Sequence, residues 1–203
     1  MMVFTDDRFN GTHKIITYGS YRPVWNDKAA GIRNRRNDFF SNHILDLKKR
    51  NPLTIILFAS LLEIEINEGI SICVVPSSNP DFVNTGIALL GKELAKNKRI
   101  DRVHYLRRHT AVDQLASGGD RSAEVHFNSI EVDPVVDIRG ETFLLLDDIT
   151  TSGNSLYACK RILLNHGASK VEMMALGKTV DNGSSKWAFT IESRKKRRLS
   201  FAE

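Results

Sequence analysis

The chain has 203 residues, a length suited to one domain with a sizeable core. Hydrophobic residues make up 41% and charged residues 26% of it, ordinary globular values, and no apolar run is long enough to cross a bilayer, which argues against a membrane protein. The net charge of +5 has one source, because Arg194, Lys195, Lys196, Arg197 and Arg198 carry five positive charges and the rest of the chain is neutral without them.

The N-terminal stretch "MMVFTDDRFNGTHK" has acidic residues where a secretory signal has basic ones, and it lacks an apolar core, so the expected location is cytoplasmic. "KIITYGSYRP" (14–23) reads as a short strand and turn. Between Lys14 and Arg50 nine basic residues face three acidic ones, a bias that suits a surface turned toward phosphates or simply a wet one. From Ala29 to Lys49 charges alternate with Ile32, Phe39, Phe40, Ile44 and Leu47, which predicts a surface helix. Asn51 and Pro52 form a cap and first-turn pair for a strongly apolar helix that Gly69 stops. "ISICVVP" (70–76) is a buried β-branched strand. Val83 to Lys96 carries Ile87, Leu90 and Leu94 on one helical face, and "RIDRVHYLRR" returns as a strand. The polar stretch from His109 to Asn128, with Gly118 and Gly119, is a long loop, and loops of that length are usually functional or disordered. "TFLLLDD" is another buried strand, Gly153 to His166 a helix ended by Gly167, and "KVEMMALGKTV" a last strong strand. Alternating strands and helices predict an α/β fold with a central, mainly parallel sheet flanked by helices. Cys73 and Cys159 have neither metal spacing nor the number for a disulfide framework and read as buried thiols. His104, His109, His126 and His166 show no ligand or triad pattern and read as ordinary polar residues.

The informative stretch is "FLLLDDITTSGNS" (143–155). Ligands of such sheets bind beyond the carboxyl ends of the strands, where Asp147 and Asp148 fall. The next residues enter a helix, so the turn offers backbone N–H groups, hydroxyls of Thr151, Ser152 and Ser155, and a positive helix terminus to an anion. Two carboxylates beside an anion cradle imply a ligand with hydroxyls, or Mg²⁺ held between anionic groups, as in a sugar phosphate. A Walker-type nucleotide site also ends a strand in two acids, and "GIALLGKE" (86–93) matches the first part of a phosphate loop. There, however, Glu93 replaces the metal-binding hydroxyl and the intervening residues are apolar. A receiver domain carries paired acids near the chain start, not at residue 147.

The string resembles the fingerprint of the type I phosphoribosyltransferase family at essentially every position. A broader resemblance, from Ile70 to Val180, is to the ComF-like phosphoribosyltransferase domain proteins, on "VVPSSNPDFVNTG", Gln114 and Arg121, although the cysteine-rich zinc element common in that subgroup is absent. The resemblance implies a single phosphoribosyltransferase-like domain over residues 1–190, with its core at about 52–181, a small N-terminal hood-like region, and a basic tail over 191–203. It implies that Asp147 and Asp148 bind the ribose hydroxyls of phosphoribosyl pyrophosphate and meet Mg²⁺ indirectly, through those hydroxyls or water. Thr150, Thr151, Ser152, Gly153, Asn154 and Ser155 would wrap the 5′-phosphate. Pro76, Ser77, Ser78 and Asn79 would form the pyrophosphate turn, where family members often use a strained peptide. Arg107, Arg108 and Arg121 would act catalytically from a lid spanning Arg107 to Phe127. The implied reaction transfers the phosphoribosyl group to a nitrogenous acceptor and releases pyrophosphate; the alternative is a non-catalytic sensor of the sugar diphosphate or a nucleotide, in contact with nucleic acid through the basic tail. Thr151 and Asn154 stand where the hypoxanthine/guanine branch has Asp and Lys, which disfavours a 6-oxopurine acceptor. Tyr18, Tyr21, Trp25 and Trp187 are candidates for stacking on a base, and family members are often homodimers.

Overall fold

Four consecutive side chains, Phe143, Leu144, Leu145 and Leu146, have no solvent exposure at all. A strand that is apolar on both faces must lie inside a sheet covered on both sides. In the computed structural model, which describes residues 2–6, 13–27, 31–33, 38–112 and 123–180, it does. The strands are β1 (Met2–Asp6), β2 (His13–Tyr21), β3 (Trp25–Asp27), β4 (Ile32–Arg33), β5 (Ser71–Val74), β6 (Ile100–Asp101), β7 (Leu106–Arg108), β8 (Ile130–Val132), β9 (Thr142–Thr150) and β10 (Lys170–Thr179). The helices are α1 (Phe39–Lys48), α2 (Pro52–Glu63), α3 (Gly86–Ala95), α4 (Ala123–Asn128) and α5 (Asn154–Asn165). The main sheet has six strands in the order β1-β2-β10-β9-β5-β6. Only β1 runs antiparallel to its neighbour. This is the α/β class expected from the alternation of elements.

Successive residues of a strand face opposite sides, and the two cores follow that parity. Ile72, Val74, Leu144, Leu146, Met174 and Leu176 pack under α1, α2 and α3. Cys73, Phe143, Leu145, Val171, Met173 and Ala175 pack under α5 with Leu156, Ile162 and Leu163. From β5 the chain crosses through α3 to β6; from β9 it crosses through α5 to β10, on the other side and over the other face. The boundary between β5 and β9 is therefore the point at which the connections diverge, the place where open α/β sheets bind ligands.

Several elements differ from the reading of the sequence. The helix expected from Ala29 begins only at Phe39, where Asp38 caps it by accepting from the Ser41 N–H at 2.7 Å. That cap is fixed in turn by Arg22, which pairs with Asp38 at 2.6 Å. The strand expected over "RIDRVHYLRR" is two strands, because the Asp101 side chain accepts from the Val103 N–H at 3.0 Å and the Tyr105 N–H bonds the Arg102 carbonyl at 3.0 Å, turning the chain. β7 then pairs with β8 in a separate two-stranded ladder. Of the stretch expected as a long loop, residues 113–122 lie outside the described residues and Ala123–Asn128 forms α4, while β9 continues past the two acids to Thr150 because β10 pairs with it that far. The Asn51 cap and the Pro52 start of α2 are as expected.

Candidate functional site

Strand parity separates the two acids. Asp148 continues the side of Leu144 and Leu146, and there it meets α1: its carboxylate lies 2.7 Å from the Lys48 ammonium. Asp147 continues the side of Phe143 and Leu145, and its carboxylate accepts the backbone N–H of Asp148 at 2.8 Å. β5 pairs with β9 only as far as Leu146, so both acids extend beyond β5, above the divergence point. Burial works to lower the Lys48 pKa, but the charge and hydrogen bond of Asp148, with Asp147 and Tyr21 adding to them, raise it overall. Burial also raises the Tyr21 phenol, against the nearby Lys48 charge.

After Thr150, which is buried, the chain turns into α5. Gly153 is the cap residue at φ 83° and contributes no side-chain hydrogen bond to the helix start. A Cβ there would lie 2.7 Å from Ile15 Cδ1 and 2.9 Å from Tyr157 Cε2, so both the backbone conformation and the space call for glycine. The first turn of α5 has no acidic residue. Its N–H groups and dipole are therefore presented to an anion without a competing carboxylate in that turn. Around it, the Thr151 hydroxyl bonds that of Thr179 at 2.9 Å, Ser152 Oγ accepts from the Asn154 N–H at 3.5 Å, and Ser155 Oγ lies 3.3 Å from His126 Nε2.

The Pro76–Asn79 turn leaves the end of β5 and is held by its carbonyls. The Arg108 Nε–H donates to the Ser77 carbonyl at 2.6 Å, and the Val112 N–H to that of Ser78 at 3.0 Å. The carbonyl dipoles of Ser77 and Ser78 are thus engaged by protein donors, as an anion-binding turn requires. No peptide bond among the described residues is cis, and none of these four residues has positive φ, so the strained peptide that the resemblance brings with it is not a feature of this turn.

No family model and no curated protein matches the sequence. Among solved structures, the chain is similar to a hypoxanthine phosphoribosyltransferase of Staphylococcus aureus at 11% identity and TM-score 0.42, covering 68% of this chain and 75% of that one. It is also similar to the Trypanosoma cruzi hypoxanthine phosphoribosyltransferase, at 14% identity and TM-score 0.38 over 76% and 77% of the two chains. A Bacillus anthracis hypoxanthine-guanine phosphoribosyltransferase matches at 13% and 0.37 over 68% and 79%. Likeness at that level has no bearing on substrate.

The remaining expected residues fall in different places. Arg107 is exposed and pairs with Asp133 at 2.9 Å. Arg108, expected in a closing lid, is buried, and its guanidinium reaches Ser77, Ser129 and His126. Arg121, Trp187 and the basic tail lie outside the described residues. Tyr21 is buried in the core and Tyr18 stacks on Phe40 at 6.2 Å between ring centroids, so both are packing residues. Two residues of the site were missed in the sequence, Lys48 and His126. Neither lies within a motif, and only the packing of α1 and α4 brings them in. Two carboxylates suit Mg²⁺ that keeps waters and phosphate oxygens as its other ligands. Among the described residues no three potential ligands cluster into a cage.

A polar cleft of about 590 Å³ lies at the other ends of the strands, lined by Glu63, Asn67, Lys96 and Arg99 among others. Its Arg99 is taken up by Glu63 at 2.9 Å and by the Leu94 and Ile66 carbonyls. That cleft is a clamp between the elements before β5 and β6, away from the acids and hydroxyls.

Proposed function

We propose that this chain is a phosphoribosyltransferase that binds phosphoribosyl pyrophosphate with Mg²⁺ and transfers the phosphoribosyl group to a nitrogenous acceptor, releasing pyrophosphate. One observation carries the reading: at the divergence point of the sheet, a strand bearing Asp147 and Asp148 runs into a hydroxyl-rich turn at the Gly153-capped start of α5, beside a second turn whose Ser77 and Ser78 carbonyls are held by protein donors. Acids for sugar hydroxyls, a helix start for the 5′-phosphate and a turn for the diphosphate are the three contacts such a substrate needs.

In this reading Asp147 and Asp148 accept from the ribose hydroxyls, with Lys48 fixing the Asp148 carboxylate. Thr150 to Ser155 hold the phosphate, and Pro76 to Asn79 hold the diphosphate. Mg²⁺, when bound with the substrate, supplies charge to the departing diphosphate. Arg107, from β7, and Arg121, from the segment after it, stabilise the same developing charge, while Arg108 acts from behind the turn. Loss of one preorganised charge contact lowers the rate by ~10²–10³. The substitutions at Thr151 and Asn154 point to an acceptor other than a 6-oxopurine, and a homodimer is proposed with the family.

The test is pyrophosphate release from phosphoribosyl pyrophosphate with a pooled set of nucleobases and Mg²⁺. Base-dependent release is expected, with Arg107→Ala reduced by ~10²–10³. Binding without any release would replace the enzyme by the sensor.

A further inference from the structure

We propose that His126 is a positioning residue, held by Arg108 as the neutral Nε2–H tautomer, that orients the Ser155 hydroxyl to donate to the bound phosphate; the inference rests on the function proposed above. His126 is buried, at 2% exposure, between two polar partners. On one side Arg108 Nη2 lies 3.4 Å from its Nδ1, and on the other Ser155 Oγ lies 3.3 Å from its Nε2.

The chemistry of these groups fixes the direction of the relay. A guanidinium has only donors, so Nδ1 must accept from it and carries no proton. The neutral ring then has its proton on Nε2 and donates to Ser155 Oγ. An imidazolium would set a second donor and a second positive charge against Arg108. Ser155, having accepted, keeps its own hydroxyl proton for another acceptor. Ser155 lies in the first turn of α5, where that acceptor is the anion.

The placement of His126 is built into the packing. α4 is docked on α5 by Glu124, which pairs with Arg161 at 2.8 Å, and by Phe127, over whose ring the Arg161 guanidinium lies 4.4 Å from the centroid. Arg108 is fixed independently by Ser129, whose hydroxyl also donates to the His126 carbonyl at 3.1 Å. Because Arg108 Nε–H also donates to the Ser77 carbonyl, one buried pair braces the pyrophosphate turn and the phosphate turn against each other.

The tautomer is read first, by ¹⁵N-histidine spectra of the full chain, with His126→Gln to assign the signal. Protonated Nε2 and bare Nδ1 are expected; protonated Nδ1, or an imidazolium at neutral pH, overturns the proposal. Affinity for phosphoribosyl pyrophosphate with Mg²⁺ is read second. His126→Ala and Ser155→Ala are each expected to weaken it ~10-fold, the double variant no further, and His126→Gln, which keeps an N–H donor, to restore most of the loss. In turnover the loss is expected in KM with kcat little changed, since the phosphate contact is the same in ground and transition states. A merely structural role would instead show additive losses and no rescue by glutamine, and would overturn the assignment. Should His126→Ala not fold, the tautomer and Ser155→Ala decide. Wild type that binds the ligand while Ser155→Ala binds equally well overturns this inference alone; wild type that binds none overturns the underlying function, and this with it.

Discussion

Glu141 joins three segments through one carboxylate. Its oxygens accept from Arg102 at 2.6 Å and from the Ser71 hydroxyl at 2.5 Å, tying the residue before β9 to the start of β5 and the turn after β6. Burial works to raise its pKa, but the hydrogen bonds from Arg102 and Ser71 and the Arg102 charge leave it lowered. A carboxyl whose folded pKa is lowered contributes stability that is present above its unfolded pKa and lost as pH falls through the folded one. Glu141→Gln is therefore expected to cost about 1–2 kcal/mol at pH 7. The gap from wild type should close below the ordinary glutamate pKa of about 4.3. Urea titrations across that range measure it, and a gap constant down to acid pH would contradict the assignment. The cysteines give a second residue-scale expectation. Burial pushes the Cys73 thiol up to about 12 and Cys159 well above its ordinary value, and both are fully buried. Native protein should therefore not react with an aromatic disulfide reagent that labels both thiols in urea.

Among elements, α1 decides whether Asp148 has its partner. Its C-terminal end rests on the start of α3, where a Cβ at Gly86 would fall 1.8 Å from the Leu47 carbonyl oxygen, one residue before Lys48. Its N-terminal half lies over the paired glycines Gly19 and Gly177, with Phe40 and Ile44 filling the space that their missing side chains leave. Gly86→Ala is expected to lower stability by about 1–3 kcal/mol through overpacking. It should lower the urea midpoint without changing the denaturant slope. An unchanged midpoint would mean that α1 does not sit where described. This is also where the sequence stopped being legible. Asn51 and Pro52 announce α2 locally, and Phe143 to Ser155 announce strand, acids and turn within thirteen consecutive positions. Lys48 reaches Asp148 only through glycines scattered across three elements, and His126 reaches Ser155 only because α4 docks on α5. No spacing in one sequence encodes either contact. Arg108 reads as a lid arginine beside Arg107 until β7 pairs with β8 and turns alternate residues inward.

For the whole molecule, the sheet order sets the chemistry. Connections that leave β5 and β9 in opposite directions open a crevice between their ends, and the acids near the end of β9, the start of α5 and the Pro76–Asn79 turn after β5 gather there. Gly153→Ala tests the crevice without touching a polar group. The positive φ and the contacts with Ile15 and Tyr157 oppose any side chain, so ligand affinity is expected to fall more than ~10-fold alongside a stability loss of about 1–2 kcal/mol. Full affinity in that variant would mean that the turn does not hold the phosphate. The homodimer proposed with the function is expected to sediment at twice the chain mass. No described helix is long and apolar enough to span a membrane. The most direct measurement of the central claim is calorimetric binding of phosphoribosyl pyrophosphate, with and without Mg²⁺, to wild type and to Asp147→Asn/Asp148→Asn. The account expects Mg²⁺-dependent binding by wild type and its loss in the double variant. Wild-type protein that does not bind, or a double variant that binds as tightly, would contradict it.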